Sequence, residues 1–195
     1  MKNLAIFMYR HVLSKHVIIS KEYDIIKKPS LLKQIKNKAI LPQLTRPDLW
    51  MPMAILHGFN SAQTHKNVYS MLTHHLPTPI EILERTKQLT LKDYTQMELK
   101  KKRAFESDMV NPKVDQLCRV LVYLSSLDKK ADYNLRIYWG NEKLKHTGLM
   151  DSGLEWPSNI EHRKLDIVRS NIIMNPEIKH LYGLRKCHKQ NEIIY

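Results

Sequence analysis

Between Asn134 and Val168 the chain reads NLRIYWGNEKLKHTGLMDSGLEWPSNIEHRKLDIV, and no other stretch constrains the fold as much. Leu135, Ile137 and Trp139 alternate with Arg136 and Tyr138, the period of two expected of a strand with one face in a core and the other toward solvent or a partner. Gly140, Gly148 and Gly153, with polar residues between them, mark a long irregular connection. Trp156-Pro157-Ser158 then opens a helix-like spacing through Glu161 and Leu165 to Val168. A residue before proline is held extended, so Trp156 is expected to be wedged against the sheet at a bend. The stretch therefore predicts strand, long loop, helix.

The remaining segments supply partners for that strand. Asn3–Tyr9 and Val17–Ser20 are two apolar strands joined by a short polar link, which predicts a hairpin. Ser30 is placed to cap a helix carrying Leu31, Leu32 and Ile35, with Lys33, Lys36 and Lys38 on its other faces. Met53-Ala54-Ile55-Leu56 suits a buried strand, and Val68, Met71, Leu72 and His75 stand at helical spacing within Ser61–His75, ended by Pro77 and Pro79. Asn111-Pro112 opens another helix, with Val114, Leu117, Cys118, Leu121, Val122 and Leu124 as its core stripe. The expected fold is a small mixed sheet, α/β or α+β, begun by an N-terminal β-hairpin and covered by helices. It forms a single domain over residues 1–175 with a charged helical insertion at about 80–110. Residues 176–195 are expected to be a basic C-terminal tail without a firm period.

Charge sets the class of partner. There are 32 Lys and Arg against 19 Asp and Glu, a net +13, which favours polyanions, nucleic acid ahead of anionic membrane. Lys100-Lys101-Lys102-Arg103 surrounds one helical turn with cations that internal pairing cannot neutralise, so it calls for water or phosphates. Scattered lysines such as those of Lys27–Lys38 are explained by solvation in most proteins, with phosphate contact as the alternative. No apolar window is long enough for a transmembrane helix. The N-terminus carries Arg10 and His11 where a signal peptide needs an unbroken apolar centre, and organelle import would have to use an uncleaved or internal signal.

The common catalytic constellations are missing from the sequence. Neither GxxxxGK[ST], GxGxxG nor GxSxG occurs, and only 5 glycines are available for phosphate-cradling loops. Asp48, or Glu98 with Lys100, can be forced onto a metal-nuclease pattern, but Glu98 and Lys100 do not read as strand residues. Cys187, His188 and His180 lack the paired spacing of a zinc site, and Cys118 falls on a core stripe. The expectation is a protein that is not an enzyme and has no catalytic residues, no metal and no cofactor.

Three blocks carry a family resemblance: Ile6-Phe7 through the hairpin to Ser20, Arg46-Pro47-Asp48-Leu49-Trp50-Met51-Pro52-Met53, and Ile137-Tyr138-Trp139 followed by Glu155-Trp156-Pro157-Ser158-Asn159-Ile160-Glu161-His162. Together they resemble the fungal mitochondrial homologous recombination protein 1 family, whose members include a large-subunit protein of the mitochondrial ribosome. The resemblance spans roughly residues 4–166, with the Asp-Leu-Trp-x-Pro and Trp-Pro-x-Asn-Ile-x-His blocks its distinctive parts. It implies the mitochondrial matrix and a structural role in the large ribosomal subunit, with rRNA and neighbouring subunit proteins as partners. The alternative it implies is ATP-independent pairing of homologous mitochondrial DNA. Expected nucleic-acid contacts are Lys27, Lys28, Lys33, Lys36, Lys38, Arg46, Lys100, Lys101, Lys102, Arg103, Arg136, Arg163, Arg185, Lys186 and Lys189. Tyr138, and Trp50 with it, is expected to be an exposed ring on which unpaired bases stack.

Overall fold

The computed structural model describes residues 4–25, 29–35, 46–74, 95–101, 108–127, 134–147, 149, 153–168 and 172–182. Strands β1 (Ala5–His11) and β2 (Val17–Ser20) form the expected antiparallel hairpin. Next come β3 (Trp50–His57), helix α1 (Ala62–His74), helix α2 (Val110–Leu127), β4 (Arg136–Trp139), a single turn α3 (Leu144–Thr147) and β5 (Glu161–Lys164). A two-stranded ribbon, β6 (Ile167–Val168) with β7 (Ile172–Ile173), and helix α4 (Pro176–Tyr182) complete the described chain. The main sheet has the order β2-β1-β3-β4-β5, antiparallel except for the parallel β4–β5 pair.

Apolar side chains leave this sheet on both sides. Ile6, Met8, Met53, Leu56, Leu135, Ile137 and Trp139 pack with Val68 and Leu72 of α1 and Val114, Leu117 and Leu121 of α2. On the opposite face Phe7, Tyr9, Ile55 and Tyr138 pack with Ile25, Leu31 and Ile35, with Leu165 just after β5, and with Ile173 of the ribbon and Ile178 of α4. The sheet is thus the middle layer of three, and this corrects the expectation that the second face of β4 meets solvent or a partner, since the chain itself covers it. Alternation marks two different cores here, and only the covering elements tell which residues are wet.

The helix expected after Trp156 is a second correction. Residues 161–164 are a strand in register with β4, Arg136 opposite Glu161 through Trp139 opposite Lys164. Four polar residues carry no apolar alternation, so pairing with β4 makes this strand rather than its own propensity. Pro29–Gln34 is a 3-10 turn in place of the expected capped α-helix. Val122, expected on the buried stripe of α2, is exposed. Residues 176–182, expected within a tail without a period, form α4, anchored by the fully buried Ile178.

Local devices hold these layers. Pro52, which cannot donate to a ladder, lies beside an irregularity in the β1–β3 register and beyond the last β3 residue paired with β4. The chain leaves β4 there at Gly140, where a Cβ would stand 2.2 Å from the Pro52 carbonyl oxygen. Edge strand β2 is capped by one side chain: Gln34 accepts from Ile19 N–H (2.9 Å) and donates to the Ile19 carbonyl (2.8 Å), occupying the groups that would template another strand. Asn175 does the same beyond β5, accepting from Asp166 N–H (2.7 Å) and donating to the Lys164 carbonyl (3.1 Å). The buried ammonium of Lys113 donates to the Leu72 carbonyl and to Gln116 Oε1, both at 2.7 Å, while Gln116 donates to the Met71 carbonyl. This polar joint satisfies carbonyls in the last turn of α1 and ties it to α2.

Candidate nucleic-acid interface

The parallel β4–β5 register sets Arg136 and Tyr138 beside Glu161 and Arg163 on one face of the sheet. Arg136 Nε donates to Glu161 Oε2 (2.9 Å) and Arg163 Nε to Glu161 Oε1 (2.6 Å), so a single carboxylate fixes both guanidiniums. From α4, Glu177 accepts from Arg163 Nη1 (2.7 Å) through one oxygen and from the Tyr138 hydroxyl through the other. These partners hold both carboxyls below their usual range, Glu177 chiefly through Tyr138 and Glu161 chiefly through Arg163. The Tyr138 phenol is pushed up, first by burial and then by Glu177. The cluster lies at the surface, with Arg136, Arg163 and Glu177 side chains 37%, 33% and 47% exposed.

The expectation of exposed stacking rings is corrected by burial. Tyr138 and Trp50 are each 1% exposed, because Tyr138 lies under the C-terminal cover and Trp50 packs edge-on against His11 at 5.1 Å. Only the Tyr138 hydroxyl belongs to the charged cluster. Arg136 and Arg163 are at the surface as expected, but their charge is shared with two carboxylates rather than left free.

The other expected cations divide as follows. Lys33 is exposed at the end of the Pro29–Gln34 turn, and Lys100 and Lys101 are exposed, the latter 3.7 Å from Glu98. Arg46 makes a two-point contact with Asp48, at 3.0 and 2.8 Å, and holds that carboxyl below its usual range. Lys27, Lys28, Lys36, Lys38, Lys102, Arg103, Arg185, Lys186 and Lys189 lie outside the described residues, as do Cys187 and His188. Among the described residues no group of three His, Cys, Asp or Glu could hold a metal ion, and no helix is long and apolar enough to cross a membrane. Cys118 is buried, its thiol pushed up to about 11 mainly by burial, as a core residue rather than a nucleophile would be.

The distinctive Trp-Pro-x-Asn-Ile-x-His block has an architectural task on the opposite face. Trp139 Nε1 donates to His162 Nδ1 (2.9 Å), and the two rings lie nearly parallel, 4° apart. Trp156 meets both edge-on and donates to the Lys145 carbonyl at 3.0 Å. Burial, with Lys145 and His146 nearby, pushes the His162 imidazole down to about 4. This triad fastens Trp156 and Lys145 to the sheet beside β5, on whose register the arginine cluster depends. Neither Glu177 nor His162 is among the residues expected to be functional. For His162 the neighbouring Trp156-Pro157 is a signal; for Glu177 there is none.

Fold and charge define a basic, mixed α/β protein with a surface arginine cluster. Residues 4–76 of this protein match the Mhr1 family, described as transcriptional regulation of mitochondrial recombination. The matched region runs from β1 through the hairpin and β3 to the end of α1, and the β4–β5 cluster lies beyond it. The family's described process is mitochondrial. No curated protein matches the chain.

Proposed function

We propose that this chain is a nucleic-acid-binding protein of the mitochondrial matrix that acts in mitochondrial DNA recombination without catalysing a bond-making step. The match of residues 4–76 to a family described by mitochondrial recombination carries the proposal. The net charge of +13 supports it, since neutralising phosphates releases counterions and gives affinity independent of base sequence. In this reading the protein pairs homologous strands by holding their backbones, with no nucleotide hydrolysis. Purified full-length protein should anneal complementary DNA into a joint molecule without ATP, and a folded protein that leaves pairing at the spontaneous rate would sink the proposal.

A second reading, a structural constituent of the large mitochondrial ribosomal subunit, draws support from the spacing of the cations. They recur in separate segments, at Lys27–Lys38, Lys100–Arg103 and Arg185–Lys189, a distribution suited to anchoring one chain at several points in folded rRNA. It requires co-sedimentation with large subunits at moderate salt. Both readings share one test of the lysine run. Replacing Lys100, Lys101, Lys102 and Arg103 by Ala should weaken binding and flatten its salt dependence, by about one unit of slope for each phosphate that the variant no longer neutralises. An unchanged slope would show the run to be merely solvated.

A further inference from the structure

Glu177 is held as a bound anion would be. Its two oxygens are taken by a guanidinium and a phenol, Arg163 Nη1 and the Tyr138 hydroxyl, the donor pair that two non-bridging oxygens of a phosphodiester would also satisfy. The donors are preorganised. Glu161 locks both Arg163 and Arg136 through their Nε atoms, and the Tyr138 ring is fixed in the core beneath. Arg163 uses two of its nitrogens in these contacts and Arg136 one, so further guanidinium N–H groups remain for a ligand at a surface a third exposed. Glu177 itself is the replaceable member. Ile178 anchors α4, so the exposed Glu177 side chain can swing into solvent without moving the helix.

We propose that Arg163, Arg136 and the Tyr138 hydroxyl form a seat for a nucleic-acid phosphate, with the Glu177 carboxylate occupying it in the free protein and competing with the ligand. The proposal rests on the nucleic-acid-binding reading above and locates one contact within it. With Glu177 in place, two guanidiniums face two carboxylates and the cluster is neutral. With Glu177 displaced it carries one net positive charge, which a phosphodiester cancels. The exchange conserves charge, so Glu177 acts as a built-in brake that lowers affinity for isolated phosphates and yields to a backbone held at neighbouring contacts.

The test is fluorescence anisotropy of the full-length protein with a fluorescein-labelled, mixed-sequence single-stranded RNA and a DNA of the same sequence. Removing the competitor in Glu177→Ala should tighten binding about five- to tenfold, roughly 1.0–1.4 kcal/mol, and Glu177→Gln, which keeps the size of the side chain, should do so in part. Arg163→Gln should weaken binding, and adding Glu177→Ala to it should give no gain. A purely structural latch would give equal or weaker binding when Glu177 is removed. That result, in variants with wild-type circular dichroism, overturns the proposal while leaving the nucleic-acid reading intact. Failure of the wild-type protein to bind either probe would instead remove the reading on which it rests.

Discussion

The His162 imidazole makes a quantitative prediction about stability and pH. It is neutral in the fold, held down to about 4 by burial first and by Lys145 and His146 next, against an ordinary value of 6.5. Above pH 6.5 folded and unfolded chains both carry it neutral, and it imposes no cost. As pH falls below 6.5 the unfolded chain takes up the proton first, so stability drops until the folded imidazole also titrates near 4. At pH 5 linkage gives about 2 kcal/mol, and since the ring is partly exposed, solvent screening reduces this to roughly 1 kcal/mol. His11, His16, His57 and His65 are also lowered and contribute slopes of their own. A variant isolates the one contribution. In His162→Asn the amide oxygen can replace Nδ1 as acceptor for Trp139 Nε1 but cannot titrate, so the other histidines contribute equally to both proteins. Removal of the stacked ring lowers the stability of the variant at pH 7, and the informative quantity is the change between pH 7 and pH 5. Over that interval the wild-type Tm should fall about 3 °C further than that of the variant. Parallel Tm curves would refute the assignment of a depressed, neutral His162.

Three further perturbations probe the framework. Gly58→Ala places a Cβ 2.0 Å from the Asn134 carbonyl oxygen at a backbone φ of +97°, and should cost about 3 kcal/mol or more, read as a lowered urea midpoint. Lys113→Ala removes two charged hydrogen bonds in the α1–α2 joint and should cost about 3 kcal/mol, with amide exchange accelerated first in the last turn of α1. Gln34→Ala uncovers the β2 edge; a destabilisation of about 1 kcal/mol with faster self-association in light scattering is expected, and unchanged association would show that the amide is not the guard of that edge.

The elements legible in the sequence are those whose own residues bear the signal. β4, α1 and α2 show apolar residues at the period of their structure, the hairpin strands and β3 are short apolar runs, and each forms about where its signal lies. The element after Trp156 departs from its period: Glu161, Leu165 and Val168 fall at helical spacing, whereas the structure sets Glu161–Lys164 beside β4 as a strand. The candidate site was legible in part. Arg136 and Arg163 are surface cations as their type suggests, but their meeting at Glu161 requires the parallel register, and Glu177 reaches Arg163 across 14 residues of chain.

By itself the sequence determined the class: a basic chain of net charge +13 with one mixed sheet, a hairpin start and helical cover. These are properties of charge count and local period, which require no knowledge of what packs against what. The tertiary structure decided what lies inside and which charges are available. Leu165, Ile173 and Ile178 cover the second face of the sheet, so Tyr138 is buried and presents only its hydroxyl. Burial and ion pairing are relations between distant segments, and the Arg163–Glu177 pair, on which the proposed phosphate seat depends, exists only once α4 has docked.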